Sequence, residues 1–157
     1  MQIVEENAIP IQINTVPADK LVRAYGVCTA MEDICRKHNG VGLAAAQIGI
    51  PWQLFIVAHD GKFRYFVNCI YEPTSDEKVD RIEGCLSLPG SIFRTKRWEE
   101  VRIIGQELVM EEQQPILKAF DETTAAIVFQ HEIDHQNGVL INSIGQEVFF
   151  RPIKPAR

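Results

Sequence analysis

Between Pro17 and His38 the apolar residues Leu21, Tyr25, Cys28, Met31, Ile34 and Cys35 recur at three- and four-residue intervals. That spacing puts them on one face of an amphipathic helix. Pro17 suits its first turn, and Asn39-Gly40 ends it. Residues 1–16 carry no such period and read as an extended arm packed along the body. After the helix the pattern changes. Gln53 to Ala58 is a mostly apolar run of strand length, Asp60-Gly61 is a hairpin turn, and Phe63 to Asn68 is the returning strand. A loop at Pro73 precedes a strand at Lys78 to Ile82, and Glu100 to Met110 with Pro115 to Phe120 forms another hairpin. Strands that follow one another, instead of alternating with helices, predict an α+β fold of antiparallel sheets.

A second helical pattern opens near Asp121, a residue type suited to an N-cap, and runs through the apolar stretch Ala125 to Phe129 as far as Asn137, with Gly138 as its stop. Val139 to Ile144 reads as a short strand. The tail from Phe150 to Arg157 is too proline-rich to continue a helix.

Length and charge narrow the picture. A chain of 157 residues, 46% hydrophobic, fits one domain in the usual range of roughly 100 to 200 residues, so residues 1–157 are read as a single domain. The longest apolar runs, Val41 to Ala46 and Leu54 to Ala58, fall far short of the roughly 18 residues of a membrane helix. Met1 to Glu6 has the features of neither a secretory nor a transit signal, so a cytoplasmic site is expected. With 16 basic against 21 acidic residues the net charge is -5, and extended nucleic-acid binding is not expected. The basic residues of the tail, Arg151, Lys154 and Arg157, read as a disordered terminus. The cysteines at 28, 35, 69 and 85 are expected to be thiols rather than disulfides.

The chemistry concentrates in His131-Glu132-Ile133-Asp134-His135. Residues four apart share a helix face, so two imidazoles at this spacing can hold one metal ion. Glu132 lies about 100° round the helix from His131, beside the ion rather than on it, which makes it the candidate general base. Two of the chain's four histidines occupy this spacing, behind an apolar stretch where an unpaired polar group would be costly. The third ligand is not named by the motif. Position 141, where the longer protease pattern needs histidine, is Ile141, and Glu147 is the sole acid after Asp134. An upstream ligand is therefore expected. Cys28, Cys35 and Cys69 read as small core residues. Cys85, in Glu83-Gly84-Cys85-Leu86-Ser87-Leu88-Pro89, is either a functional thiolate or a fourth core residue; Gly84 beside it lets a backbone approach closely. Gly40 to Gln47 has a Gly-x-Gly-x-x-Ala spacing with Asp60 downstream, but a helix precedes it and Pro51 follows, which argues against a dinucleotide site.

Taken together, Gly40 to Gln47, Glu83 to Ser87 and Gln130 to Gly138 resemble the three signature motifs of the peptide deformylases, in the same order and at similar intervals. The resemblance implies antiparallel sheets around a metal-bearing helix. It implies one divalent ion held by Cys85, His131 and His135 with water in the fourth position, iron as the native ion, and zinc, nickel or cobalt as acceptable ones. It further implies that Glu132 activates the water and that Gln47 and the Leu86 backbone N–H steady the oxyanion. The implied reaction removes the N-formyl group from the initiator methionine of nascent formyl-methionyl peptides and releases formate. Methionine would need an apolar pocket. Thr124, Ile127 and Val128, which lie seven, four and three residues before His131, are candidate lining with Val41, Gly42 and Gly84, unless they are plain core.

The chain departs from that family in places. Ile92 stands where members often carry a basic residue that contacts the peptide; Arg94, Lys96 or Arg97 are substitutes, or simply a solvated strand edge. Residues 1–16 lack the usual opening, and the chain ends at Arg157, where many bacterial members continue into a helix associated with ribosome docking. Ribosome contact through such a helix is not expected. Competing functions are a metallopeptidase built on the same groups, a structural zinc clamp closed by His38 or His59, and a cysteine hydrolase that uses Cys85 with His131.

Overall fold

The computed structural model describes residues 1–10 and 12–149; the basic tail at Arg151, Lys154 and Arg157 lies outside the described residues. Helix α1, Leu21–Lys37, buries Ala24, Val27, Cys28, Met31, Ile34 and Cys35, the face given by the spacing of its apolar residues. It starts later than Pro17. Pro17 is extended and leads into a 3-10 turn, Ala18–Lys20, before the α-helix begins.

Among the described residues eight strands follow: β1 Gly42–Ala44, β2 Leu54–His59, β3 Lys62–Pro73, β4 Lys78–Gly84, β5 Ile92–Trp98, β6 Val101–Glu111, β7 Gln114–Thr124 and β8 Gln146–Glu147. They form two sheets, ordered β1-β2-β3-β6-β7 and β4-β5-β8, with every pairing antiparallel. The turns obey local chemistry. Asp60 and Gly61 between β2 and β3 both have positive φ, as do Glu112 and Gln113 between β6 and β7, which matches the right-handed twist of the strands they join.

Strand β2 explains the layering. Successive side chains point to opposite faces, and both faces of β2 are covered. Leu54 and Ile56 pack with Met31, Cys28 and Val27 of α1. Phe55 and Val57 pack with Phe66, Phe120 and Ile133, with Phe129 against them. The five-stranded sheet is thus held between α1 and a second helix, α2, Ile127–Gln136. Each fully buried Phe, Leu or Ile contributes about 1.5–3 kcal/mol. The three-stranded sheet meets α2 from its other side, where Gln130 exchanges hydrogen bonds with the backbone of Trp98 at 2.9 and 3.1 Å. Antiparallel sheets around a central helix, with an amphipathic helix near the N-terminus, are the fold class predicted from the sequence.

Several local expectations are corrected. Asp121 is not an N-cap: residues 121–124 complete β7, with Thr124 opposite Val101, and Asp121 pairs with Arg102 at 2.6 and 2.7 Å. The cap of α2 is Ala126. Residues 139–144 are not a strand; a short helix α3, Ile141–Ile144, is followed by β8. Strands β1 and β8 lie in segments that carried no strand prediction, and β5, anticipated only as a solvated basic edge, instead buries Arg97. The N-terminal arm packs along the body as expected: the Val4 N–H donates to the Gln47 carbonyl at 2.8 Å, and Asn14 bridges to Trp52. No helix among the described residues is long and apolar enough to cross a membrane.

Candidate active site

Helix α2 presents His131 and His135 one turn apart, and the segment leaving β4 brings Cys85 to them. The Cys85 Sγ lies 3.4 Å from His135 Nε2, and the two Nε2 atoms lie 3.2 Å apart. All three residues are buried, and their donor atoms lie within 4.8 Å of one another. Tetrahedral coordination with metal–nitrogen bonds of roughly 2.0–2.1 Å and a metal–sulfur bond of roughly 2.3 Å places N and N about 3.3 Å apart, and S and N about 3.6 Å apart. The residues therefore fit one divalent ion. Among the described residues the cluster has three members. His59 pairs with Asp60 in an exposed position, and neither it nor His38 joins the group.

One of the three residues, His131, is held by a buried polar network that the sequence did not announce, whereas the His135 Nδ1 has no partner among the described residues. His131 Nδ1 meets Glu83 Oε2 at 2.8 Å, which leaves Nε2 with its lone pair toward the cluster; such outer partners set both tautomer and ring orientation. Glu83 also accepts from Arg97 at 2.6 and 2.9 Å and from the Thr95 hydroxyl. Arg97 donates its other arm to Asp134, which also receives the Tyr71 hydroxyl at 3.3 Å. Arg97 is 3% exposed, so it is not the peptide contact considered for it. Burial alone would raise the Glu83 carboxyl, but hydrogen bonds from His131, Arg97 and Thr95 outweigh it and bring the pKa down to about 2. The two imidazoles separate. Burial lowers both, and it carries His135 down, aided by the nearby charge of His131. For His131 the hydrogen bonds to Cys85 and Glu83 win, and its pKa is raised.

Glu132 is different. It is 3% exposed, its Oε2 has no hydrogen-bond partner among the described residues, and burial raises its pKa to about 7. Gly42 makes room for it: a Cβ there would lie 2.5 Å from Glu132 Oε1 and 2.7 Å from a methyl of Val128. Gln47 sits on the 3-10 turn Ala45–Ile48 after β1. Its Oε1 accepts from the Ala44 N–H at 2.9 Å, which turns Nε2 toward Cys85 Sγ at 3.4 Å and Ser87 Oγ at 3.2 Å. Cys35, read as core, also reaches the site wall, its thiol 3.5 Å from the Gly42 carbonyl.

A cavity of about 650 Å³ opens over these groups, lined by Val41, Gly42, Gln47, Gly84, Cys85, Leu86, Ile127, Val128, His131 and Glu132 among others. Thr124 is not in this lining; it ends β7 instead of lying on the helix. A second cavity of about 680 Å³ under the N-terminal arm touches His135 but neither Glu132 nor Cys85, so the reactive groups face the first. Among known proteins, a model of the polypeptide deformylase family matches residues 2–147. The chain belongs to the polypeptide deformylase family. Members are metal-dependent hydrolases that remove the N-formyl group from the initiator methionine of nascent polypeptides. A peptide deformylase of Natranaerobius thermophilus is 36% identical over 132 residues, 83% of this chain and 80% of that one. Another, from Parafrankia sp., is 36% identical over 70% of this chain but only 58% of its own length. A solved class I type b peptide deformylase from Acinetobacter baumannii superposes with a TM-score of 0.78 at 28% identity, covering 91% of this chain and 97% of that one.

Proposed function

We propose that residues 1–157 form one catalytic domain that deformylates N-formyl-methionyl peptides in the cytoplasm, with Cys85, His131 and His135 holding the ion and Glu132 moving the proton. The observation that carries this reading is Glu132: a buried carboxyl with a free oxygen and a pKa of about 7, beside three metal-type donors, two of which, Cys85 and His131, line the cavity with it. A general base works best with a pKa near the operating pH. Once bound there, a divalent ion would supply Lewis-acid polarisation and would bring a water within reach of deprotonation near pH 7. Iron is the proposed native ion; zinc, nickel and cobalt suit the same donors.

Glu132 takes the proton of the attacking water and returns it to the amine as the formyl carbon–nitrogen bond breaks, leaving formate and a free methionine N-terminus. Gln47 Nε2, whose direction is fixed by the Ala44 N–H, and the Leu86 backbone N–H donate to the oxygen that becomes negative. One such donor is typically worth about 10² to 10³ in rate. The methionine side chain occupies the apolar end of the cavity, beside Val41, Gly42, Gly84, Ile127 and Val128. Strands β1 and β4 are each at the edge of their sheets, and residues of both line the cavity. Edge strands pair readily with an extended peptide, which suits the end of a nascent chain. Anaerobically purified, iron-loaded protein is expected to release formate from a formyl-methionyl peptide and to leave the matching acetyl peptide almost untouched. Equal cleavage of both, or of internal amides, would replace this reading with a general metallopeptidase.

A further inference from the structure

The N-terminal arm meets the body at the turn that carries Gln47. That turn, Ala45–Ile48, is a 3-10 helix of four residues, and a helix this short leaves its last carbonyls without partners of its own. The Gly49 N–H closes on the Ala46 carbonyl and the Ile50 N–H on the Ala45 carbonyl, both at 3.0 Å. Neither reaches Gln47. Its carbonyl accepts instead from the Val4 N–H at 2.8 Å, and Ile3 beside Val4 packs on the core cluster that includes Ala45 and Ile48. Farther along, the arm has less to rest on: the stretch from Glu5 to Pro10 lines the second cavity, and Glu6 is tied to the body by Asn142, whose Nδ2 donates to it at 2.8 Å. Gln47 is 1% exposed. Without the Val4 N–H its carbonyl would be a buried acceptor left unmade, which a turn with so few bonds of its own relieves by shifting.

We infer that Val4 is a positioning residue for deformylation: its backbone N–H holds the Gln47 peptide group, and with it the side chain that donates to the developing oxyanion. The inference rests on the deformylase reading and deepens it. Gln47 is then held at both ends, its Oε1 by the Ala44 N–H and its carbonyl by Val4. Misplacing a group of this kind by about 1 Å can cost about 10²-fold in rate. Because the donor acts on charge that forms in the transition state, the cost falls on kcat and spares KM.

The test removes the N–H alone. Val4→Pro lacks the donor, and Val4 belongs to no helix or strand, so both sheets are left intact. At equal metal content its kcat on formyl-Met-Ala-Ser should fall about 10- to 100-fold, with KM held within about twofold. Val4→Ala keeps the N–H, and Glu5→Pro places the ring where φ is already -65°. Each should keep the parent kcat within about twofold. In a Gln47→Ala background, Val4→Pro should change kcat by less than about threefold, since two groups that act through one contact are not additive. No loss in Val4→Pro, a loss matched by Val4→Ala, or a loss that persists in full without Gln47 would overturn the inference while deformylation stands. If the parent protein cleaves no formyl peptide, the deformylase reading fails, and the side-chain amide NMR signals of Gln47 then judge the inference. A shift in Val4→Pro that is absent from Val4→Ala would support it; unmoved signals would overturn it.

Discussion

Helix α2 is walled on one side by carbon and on the other by charge. Toward the five-stranded sheet, Phe129 stacks among Phe55, Phe66 and Phe120 at centroid separations of 5.0 to 6.2 Å. Toward the three-stranded sheet, Asp134 and His131 are tied to Arg97 and Glu83 in a network almost closed to solvent. The apolar wall is forgiving, since its many contacts are individually small and non-directional. The polar wall is directional, and each of its members is satisfied only while the others stay. Stability can come from either kind of wall. Aiming the His131 imidazole at the cluster needs the second, because its Nδ1 bond to Glu83 fixes the ring in a way that packing does not.

The largest expected effect tests whether the charged side is built for function. Glu132 is as buried as that network but faces Gly42 of β1, and no partner among the described residues holds its Oε2. Glu132→Ala should cut turnover by about 10² to 10⁴, while metal analysis still finds about one ion per chain. Its melting temperature should not fall, because an unpartnered buried carboxyl stabilises nothing. Retained turnover would assign the base elsewhere. Next comes Arg97→Met, which strands Glu83 and Asp134 in the interior. Breaking a buried ion network from one side costs about 3–5 kcal/mol, readable as a lower denaturant midpoint, and a change under 1 kcal/mol would mean the two walls are alike after all.

How much of this was legible in the sequence follows the same division. Regular apolar periods gave α1 and both long hairpins, since burial sets those patterns directly. Where pairing partners decided, local signals misled: Asp121 looks like a cap, but its cross-strand bond to Arg102 extends β7 and delays α2 to Ile127. Strand β5 buries Phe93, Thr95 and Arg97 on one face, and an arginine in a buried register disguises the alternation. The two histidines stand out by type and spacing, whereas Cys85, left open by its own segment, and Gln47 were supplied by the family motifs. Arg97 gave no signal, since its role depends on Glu83 and Asp134, 14 and 37 residues away. Glu83 and Asp134 lie inside the motifs and could have been suspected.

Glu83→Gln sharpens the contrast at an intermediate size. The amide fills the same space but cannot offer His131 a charged acceptor, and loss of such an outer partner typically weakens metal affinity about 10- to 100-fold. Competition with a chelator measures it. The same variant has a pH signature. The folded Glu83 carboxyl titrates near 2, below its ordinary value of 4.5, so the folded state binds fewer protons there than the unfolded one. Its stabilising contribution is complete above about pH 4.5 and is lost as pH falls toward 2. Denaturation curves of the metal-free protein should lose stability over that window, with a shallower loss in Glu83→Gln; identical slopes would detach Glu83 from acid stability.

The smallest effect belongs to the carbon wall. Phe66 is fully buried and stacks on Phe55 at 5.3 Å. Phe66→Leu keeps an apolar branched side chain in the same space, so the loss should be about 1 kcal/mol, with chelator competition unchanged because no hydrogen bond to a ligand is touched. Nothing in that stack titrates. The cost should therefore be the same at pH 7 and at pH 3, whereas the cost of disturbing the opposite wall changes between them. A Phe66→Leu penalty that moved with pH, or that loosened the ion, would show that the apolar packing also aims the ligands, and the functional distinction between the two sides of α2 would fail.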